Sequence, residues 1–186
     1  MSQPVSTPPE RWLKLLSLDG RLCHRLNQIS QREGPGRFFA AVSRLGDGSF
    51  WYLLLLFLPL VQGRYGLLVS MHLALTGVCS LLVYRWVKQS TSRLRPFHEM
   101  PGLIRREPPL DEYSFPSGHT LHAVAFTLVL ASHLPLLGWL VLPFTVLVAI
   151  SRPVLGLHYP SDVLAGAVIG AVIAILTITG ARWLLL

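Results

Sequence analysis

Three polar clusters interrupt an otherwise apolar chain, and all three are rich in residue types that handle phosphate. The first runs from Lys88 to Pro96 and carries Arg95. The second is Phe115, Pro116, Ser117, Gly118 and His119, and the third holds Ser151, Arg152, His158 and Asp162. Lys88, Arg95 and Arg152 supply three positive charges, and the planar fork of arginine suits phosphate oxygens. Ser117 adds a hydroxyl, and the Gly118 N–H admits an oxyanion closely because no side chain shields it. Together they form an anion cradle aimed at a phosphoryl group, where charge stabilisation dominates catalysis. Two histidines, His119 and His158, divide the remaining work: one attacks phosphorus and the other protonates the departing alkoxide. Asp162, four residues beyond His158, falls one helical turn on and can hold the imidazole tautomer whose attacking nitrogen is unprotonated. No carboxylate cluster suited to a metal accompanies them, which points to metal-free chemistry without a cofactor.

The elements that must position these groups are membrane helices. Of 186 residues, 52% are hydrophobic and 13% charged, against roughly 25% charged in soluble proteins. The mean hydropathy is +0.51. Apolar runs cover Leu45–Val61, Gly66–Val87, Thr120 to about Val148 with a turn at Ser132–Pro135, and Val163–Thr179. Each helix is near the ~20 residues that cross a bilayer core, and lipid offers no hydrogen bonds to a bare backbone. The expectation is an all-α integral membrane bundle of about five transmembrane helices. Gly166 and Gly170 form a small-xxx-small pair suited to close helix packing.

Residues 1–9 are Pro- and Ser-rich and are expected to be disordered. Residues 10–37 read as a basic amphipathic segment on the membrane surface or packed on the protein, with Asp19-Gly20 dividing it into two short helices. Residues 38–186 form the transmembrane domain. The first ~35 residues are polar and basic, so no signal peptide is expected.

The chain crosses twice between the second cluster and the third, and a single loop joins the first to the second. All three therefore emerge on one face. That face also carries most of the cations: of 16 Lys and Arg, only Arg64 and Arg182 fall on the other side. The positive-inside rule would place the clusters in the cytosol. The net charge of +7, with no nucleic-acid module, suits anionic lipid rather than nucleic acid. No obligate protein partner is inferred.

In order and spacing, Lys-x6-Arg-Pro, Pro-Ser-Gly-His and Ser-Arg-x5-His-x3-Asp resemble the signature of the type 2 phosphatidic acid phosphatase superfamily, over roughly residues 45–180. Every signature position is matched. The resemblance implies a multi-pass membrane phosphatase in which His158 is the nucleophile forming a phosphohistidine. Asp162 would be its partner, His119 the general acid, and Lys88, Arg95, Ser117, Gly118 and Arg152 the phosphate-binding groups. It implies a lipid phosphomonoester such as phosphatidic acid or phosphatidylglycerophosphate as substrate, or alternatively undecaprenyl pyrophosphate. It also implies a periplasmic or exterior site, against the charge bias. Members of that family usually have six spans, and this chain is expected to carry the basic amphipathic segment in place of the first.

Among the other candidates, Arg85, Arg93, Arg105 and Arg106 read as membrane-interface anchors. His72 reads as a helix-packing residue, and His122 either as one or as a site wall. His24, His98 and His133 read as surface or interface residues, and Tyr113 and Tyr159 as structural. Cys23 and Cys79 lack metal spacing, and no disulfide is expected. A soluble vanadium-dependent haloperoxidase shares the signature but not the apolar runs. A membrane protein that binds phosphate without cleaving it would not need His158 and Asp162.

Overall fold

A computed structural model describes residues 10–109 and 111–184, with side chains described for 17–109 and 111–181. The expectation for residues 1–9 lies outside the described residues. Among the described residues seven helices follow in order: α1 (Glu10–Gln31), α2 (Glu33–Arg44), α3 (Phe50–Thr91), α4 (Pro96–Glu99), α5 (Gly118–His133), α6 (Pro135–Val154) and α7 (Pro160–Leu184). A π-helical turn, Leu45–Ser49, joins α2 to α3.

The apolar runs all become helix. Among the described residues three segments, Glu33–Thr91, Pro135–Val154 and Pro160–Ala181, are long and apolar enough to cross a membrane, whereas α5 has only 16 residues. The first of the three is not one rod. Ser70 Oγ donates to the Leu55 carbonyl at 2.8 Å, yet 15 residues of straight helix would separate them by about 22 Å. The chain reverses at Gly63, whose φ of 57° and ψ of −133° break the helix. The two arms touch closely: a Cβ on Gly66 would lie 2.5 Å from the Leu58 carbonyl carbon.

Trp51, Leu58, Leu73, Phe126, Val129 and Val148 form the buried core between α3, α5 and α6. The outer surface is also apolar, with Leu60 83%, Leu136 76% and Trp139 70% exposed. A helix hydrophobic on both its inner and outer faces is one whose solvent is lipid. At the end of the bundle away from the three clusters, His72 Nδ1 pairs with His133 Nε2 at 2.8 Å, and Tyr65 donates to the His133 carbonyl.

Helices α5 and α7 pack together extensively, and glycine allows a close approach. A Cβ on Gly166 would stand 2.5 Å from the Ser117 carbonyl, and one on Gly170 would press on the Leu121 backbone. The two glycines thus bring the second polar cluster, at the start of α5, against the third, at the start of α7.

The N-terminal segment differs from expectation. Asp19-Gly20 does not divide it, since α1 runs unbroken to Gln31, and the break comes at Arg32 with extended backbone. Asp19 spends its carboxylate on tertiary contacts instead of a turn, accepting from Arg93 Nη2 at 2.8 Å and from the Ser161 backbone N–H at 3.0 Å. Cys23, Asn27 and Ser30 are buried on the same face, whereas Leu18, Leu22 and Ile29 are exposed. Asn27 donates to the carbonyls of Ile104 and Val154, both at 2.9 Å.

Candidate active site

Arg95 is the most enclosed of the three cradle cations, at 1% exposure. Its Nε donates to the Asp111 carbonyl at 2.9 Å and its Nη1 to the Leu157 carbonyl at 2.8 Å. Nη2 meets the Asp111 carboxylate at 2.6 Å. Lys88, buried in the last turn of α3, reaches the same carboxylate oxygen at 2.5 Å, and Tyr84 donates to the other oxygen. Burial alone would raise the Asp111 pKa. Hydrogen bonds from Lys88 and Tyr84, with the charges of Lys88 and Arg95, outweigh it and hold the group below the ordinary carboxylate value. Arg152 donates from Nη1 to Ser43, while its Nε is buried without a hydrogen-bond partner. An orphaned donor on a buried cation is costly, so this corner favours an anion.

His158 lies between α6 and α7, 2% exposed. Its Nδ1 stands 2.6 Å from the Ser114 carbonyl. A carbonyl only accepts, so Nδ1 carries the hydrogen and Nε2 the lone pair. That Nε2 is 3.2 Å from Arg95 Nη1. Burial first, then the charges of Arg152, Arg95, Lys88 and His119, push the His158 pKa well below its ordinary value. The ring is neutral at neutral pH and presents an unprotonated nitrogen to the cradle.

Asp162 does this differently from the four-residue expectation. Its carboxylate is 3.7 Å from His158 Nδ1, beyond a hydrogen bond, because α7 begins only at Pro160 and His158 precedes it. Asp162 Oδ2 instead accepts the Tyr159 N–H at 2.8 Å, and Oδ1 accepts from Arg93 Nη1 at 2.7 Å. The tautomer is held by Ser114, and Asp162 supplies negative charge beside the ring.

At the N-terminus of α5, Ser117 is fully buried, its hydroxyl paired with Thr120 Oγ1 at 3.0 Å. Its N–H donates to the Asp162 carbonyl at 3.0 Å, tying the second cluster to the third. Gly118 tolerates no side chain, because a Cβ would meet the Tyr84 ring at 2.7 Å. The helix thus starts directly against Tyr84, with its free N–H groups and positive dipole end beside the cradle. His119 follows, its Nε2 3.2 Å from Asp47 Oδ1. His119, His122, Trp51, Tyr52, Leu55, Val78, Leu81 and Phe126 are among the lining of a groove of about 430 Å³ between α3 and α5.

The structure therefore gathers Lys88, Arg95, Ser117, Gly118, His119, Arg152, His158 and Asp162 at one end of the bundle. It adds groups that spacing did not single out. Arg93, read as an interface anchor, bridges Asp162 and Asp19 and stacks 4.0 Å from the Tyr159 ring. Its position within the first cluster, two residues before Arg95, was the available signal. Asp111 and Ser114 come from the Pro-rich loop, which Ser114 pins to Arg93 by a 2.8 Å backbone bond. Nothing in their types distinguished them from other loop residues.

Comparisons with known proteins place the chain as a whole. A family model described as the PAP2 superfamily matches residues 65–185. A curated undecaprenyl-diphosphatase of Sulfolobus acidocaldarius is 34% identical over 59% of this chain and 54% of its own. A lipid A 1-phosphatase of Rhizobium johnstonii is 28% identical over 93% of this chain and 82% of its own. The chain spans about half the length of the first of these, and of the similar Bacillus subtilis undecaprenyl-diphosphatase BcrC. Among the solved structures that share the fold, two are similar along most of this chain. One is a phosphatidylglycerolphosphate phosphatase from Bacillus subtilis, with a TM-score of 0.75 and 23% identity over 91% of this chain and 87% of that one. The other is LpxE from Aquifex aeolicus, with a TM-score of 0.73 and 25% identity over 86% and 93%. With the signature residues converged on one buried site and the family model matching from the second arm of α3 through α7, this chain belongs to the PAP2 superfamily.

Proposed function

We propose that the protein is a lipid phosphate phosphatase that works through a phosphohistidine on His158. The observation that carries this is the buried His158, whose Nδ1 is held by the Ser114 carbonyl while Nε2 lies 3.2 Å from Arg95 in the field of Lys88 and Arg152. In the first step Nε2 attacks phosphorus, the N–P bond forms and the P–O bond to the lipid breaks. The proton on His119 passes to the departing alkoxide. The His158 ring becomes cationic, stabilised by Asp162 at 3.7 Å. In the second step a water gives its proton to His119 and attacks phosphorus. The N–P bond breaks, inorganic phosphate leaves and His158 is neutral again. Lys88, Arg95 and Arg152 hold the phosphoryl oxygens throughout. The carboxylates beside them are engaged by cations, Asp111 by Lys88 and Arg95 and Asp162 by Arg93, so we assign no metal ligand here.

The apolar lining of the groove suits a long hydrocarbon tail, which favours phosphatidic acid or phosphatidylglycerophosphate over a soluble phosphate ester. Three relatives favour other lipids: the two undecaprenyl-diphosphatases would suit undecaprenyl pyrophosphate, and the lipid A 1-phosphatase lipid A. Phosphate release by purified protein from these four lipids, in EDTA, tests the reading. Release from at least one is expected, and release from none would end it.

For orientation we retain the charge bias, which puts the cationic face in the cytosol. The exposed Leu18, Leu22 and Ile29 of α1 would then rest on the inner leaflet. An alkaline-phosphatase fusion in the Glu99–Leu110 loop should be inactive, and activity there would reverse the assignment.

A further inference from the structure

One carboxylate at the site has no role in the chemistry so far. Asp47 stands in the wall of the groove, among Trp51, Tyr52, Leu55, Val78 and Leu81. An ionisable side chain among apolar neighbours at a membrane helix is costly and marks function more often than packing. The backbone is arranged around it. Asp47 occupies a π-helical turn between two glycines, and such turns are frequent at functional sites. Gly46 lets the turn lie against α6, since a Cβ there would come within 2.8 Å of Val148. Gly48 takes a φ of 135°, which side-chain-bearing residues rarely adopt. One turn earlier, Ser43 accepts from Arg152. The segment thus places Ser43 on a cradle cation and Asp47 on His119, at 3.2 Å between Oδ1 and Nε2.

We infer that Asp47 is the positioning residue for the acid–base histidine. This rests on the assignment of His119 as the general acid. With Nε2 donating to Asp47, Nδ1 is the nitrogen left to carry the transferable proton. The carboxylate orients the ring and stabilises its charged form. When the P–O bond breaks, the Nδ1 proton goes to the alkoxide oxygen and His119 becomes neutral, still donating to Asp47 through Nε2. When water attacks, Nδ1 takes its proton and the imidazolium is restored beside the same carboxylate. Asp47 touches neither phosphorus nor the leaving group and acts through the ring alone.

Leaving-group dependence tests this, because a nitrophenolate departs as a stable anion and an alkoxide does not. Two substrates with matched tails, an alkyl phosphate and a nitrophenyl phosphate, are compared with wild type and variants. Asp47→Asn should lower kcat on the alkyl ester by about 100-fold, within the range of general acid catalysis. On the nitrophenyl ester the loss should stay within about 3-fold, while Asp47→Glu restores part of the alkyl activity. In a His119→Ala background, Asp47→Asn should cost nothing further, as expected of two residues acting as one unit. Equal losses on both esters would mean that Asp47 serves the charge balance of Arg152 or the fold, and would overturn the inference. So would an unchanged alkyl rate, or a further loss in the His119→Ala background, which is measured even if Asp47→Asn alone is poorly folded. If His119→Ala itself shows no leaving-group dependence, the assignment of His119 as the acid fails first.

Discussion

His158 and His119 each stand beside a carboxylate, on opposite terms. His158 is sealed in protein, its Nδ1 on the Ser114 carbonyl and Asp162 at 3.7 Å. His119 sits where the cradle meets the groove, and its Asp47 partner is 38% exposed. The first ring is kept neutral by burial and by surrounding cations, which suits a nucleophile that must not carry a proton on Nε2. The second has a carboxylate 3.2 Å from Nε2 and lines the groove beside His122, with Arg152 also near, which suits the acid–base role proposed for it. Under the proposed mechanism, the same residue type serves as nucleophile or acid through what touches its two nitrogens.

The largest expected effect breaks the buried half. His158→Ala should cost at least about 10⁴-fold in kcat, as when a nucleophile is removed from a cooperating unit, and labelled substrate should leave phosphate on His158 in the wild type. Wild-type-like hydrolysis by this variant would remove the distinction between the rings. Next is Arg93→Ala, which frees Asp162 and Asp19 together. Its expected loss is about 10- to 100-fold, typical of losing an orienting outer partner, while the exposed Arg85→Ala should change kcat little.

A smaller effect sharpens the account of the cradle. The Asp111 carboxylate holds the same two cations that a phosphoryl group needs, and it is ionised at neutral pH because Lys88, Tyr84 and Arg95 hold its pKa down. Asp111→Asn should therefore tighten inhibition by orthovanadate by about 10-fold, or 1.4 kcal/mol. Weaker inhibition would show that Asp111 orders Lys88 and Arg95 rather than competing with the substrate. The smallest expected effect is that of excess EDTA, which should leave the initial rate unchanged. A strict requirement for added magnesium would contradict the charge-only cradle.

How much of this was legible beforehand follows from the range of each interaction. The membrane helices and the three clusters could be read directly, because hydropathy runs and motif spacing are properties of neighbouring residues. Gly166 and Gly170 were legible as a packing pair for the same reason, although their partner, the start of α5, was not. The pairing of His158 with Asp162 was anticipated from a spacing of four, but that spacing assumed a helix that starts only at Pro160. The carbonyl that fixes the tautomer belongs to Ser114, 44 residues away.

The sequence alone determined the solvent of this chain, the set of candidate site residues and their convergence on one face. Composition and the parity of membrane crossings suffice for those. Only the tertiary structure decided which side chain touches which nitrogen. Asp19 on Arg93, Asp111 on Lys88 and Asp47 on His119 join residues 74, 23 and 72 positions apart. Contacts at such separations depend on helix packing angles and loop paths, which glycines at a few close approaches set and no local pattern encodes.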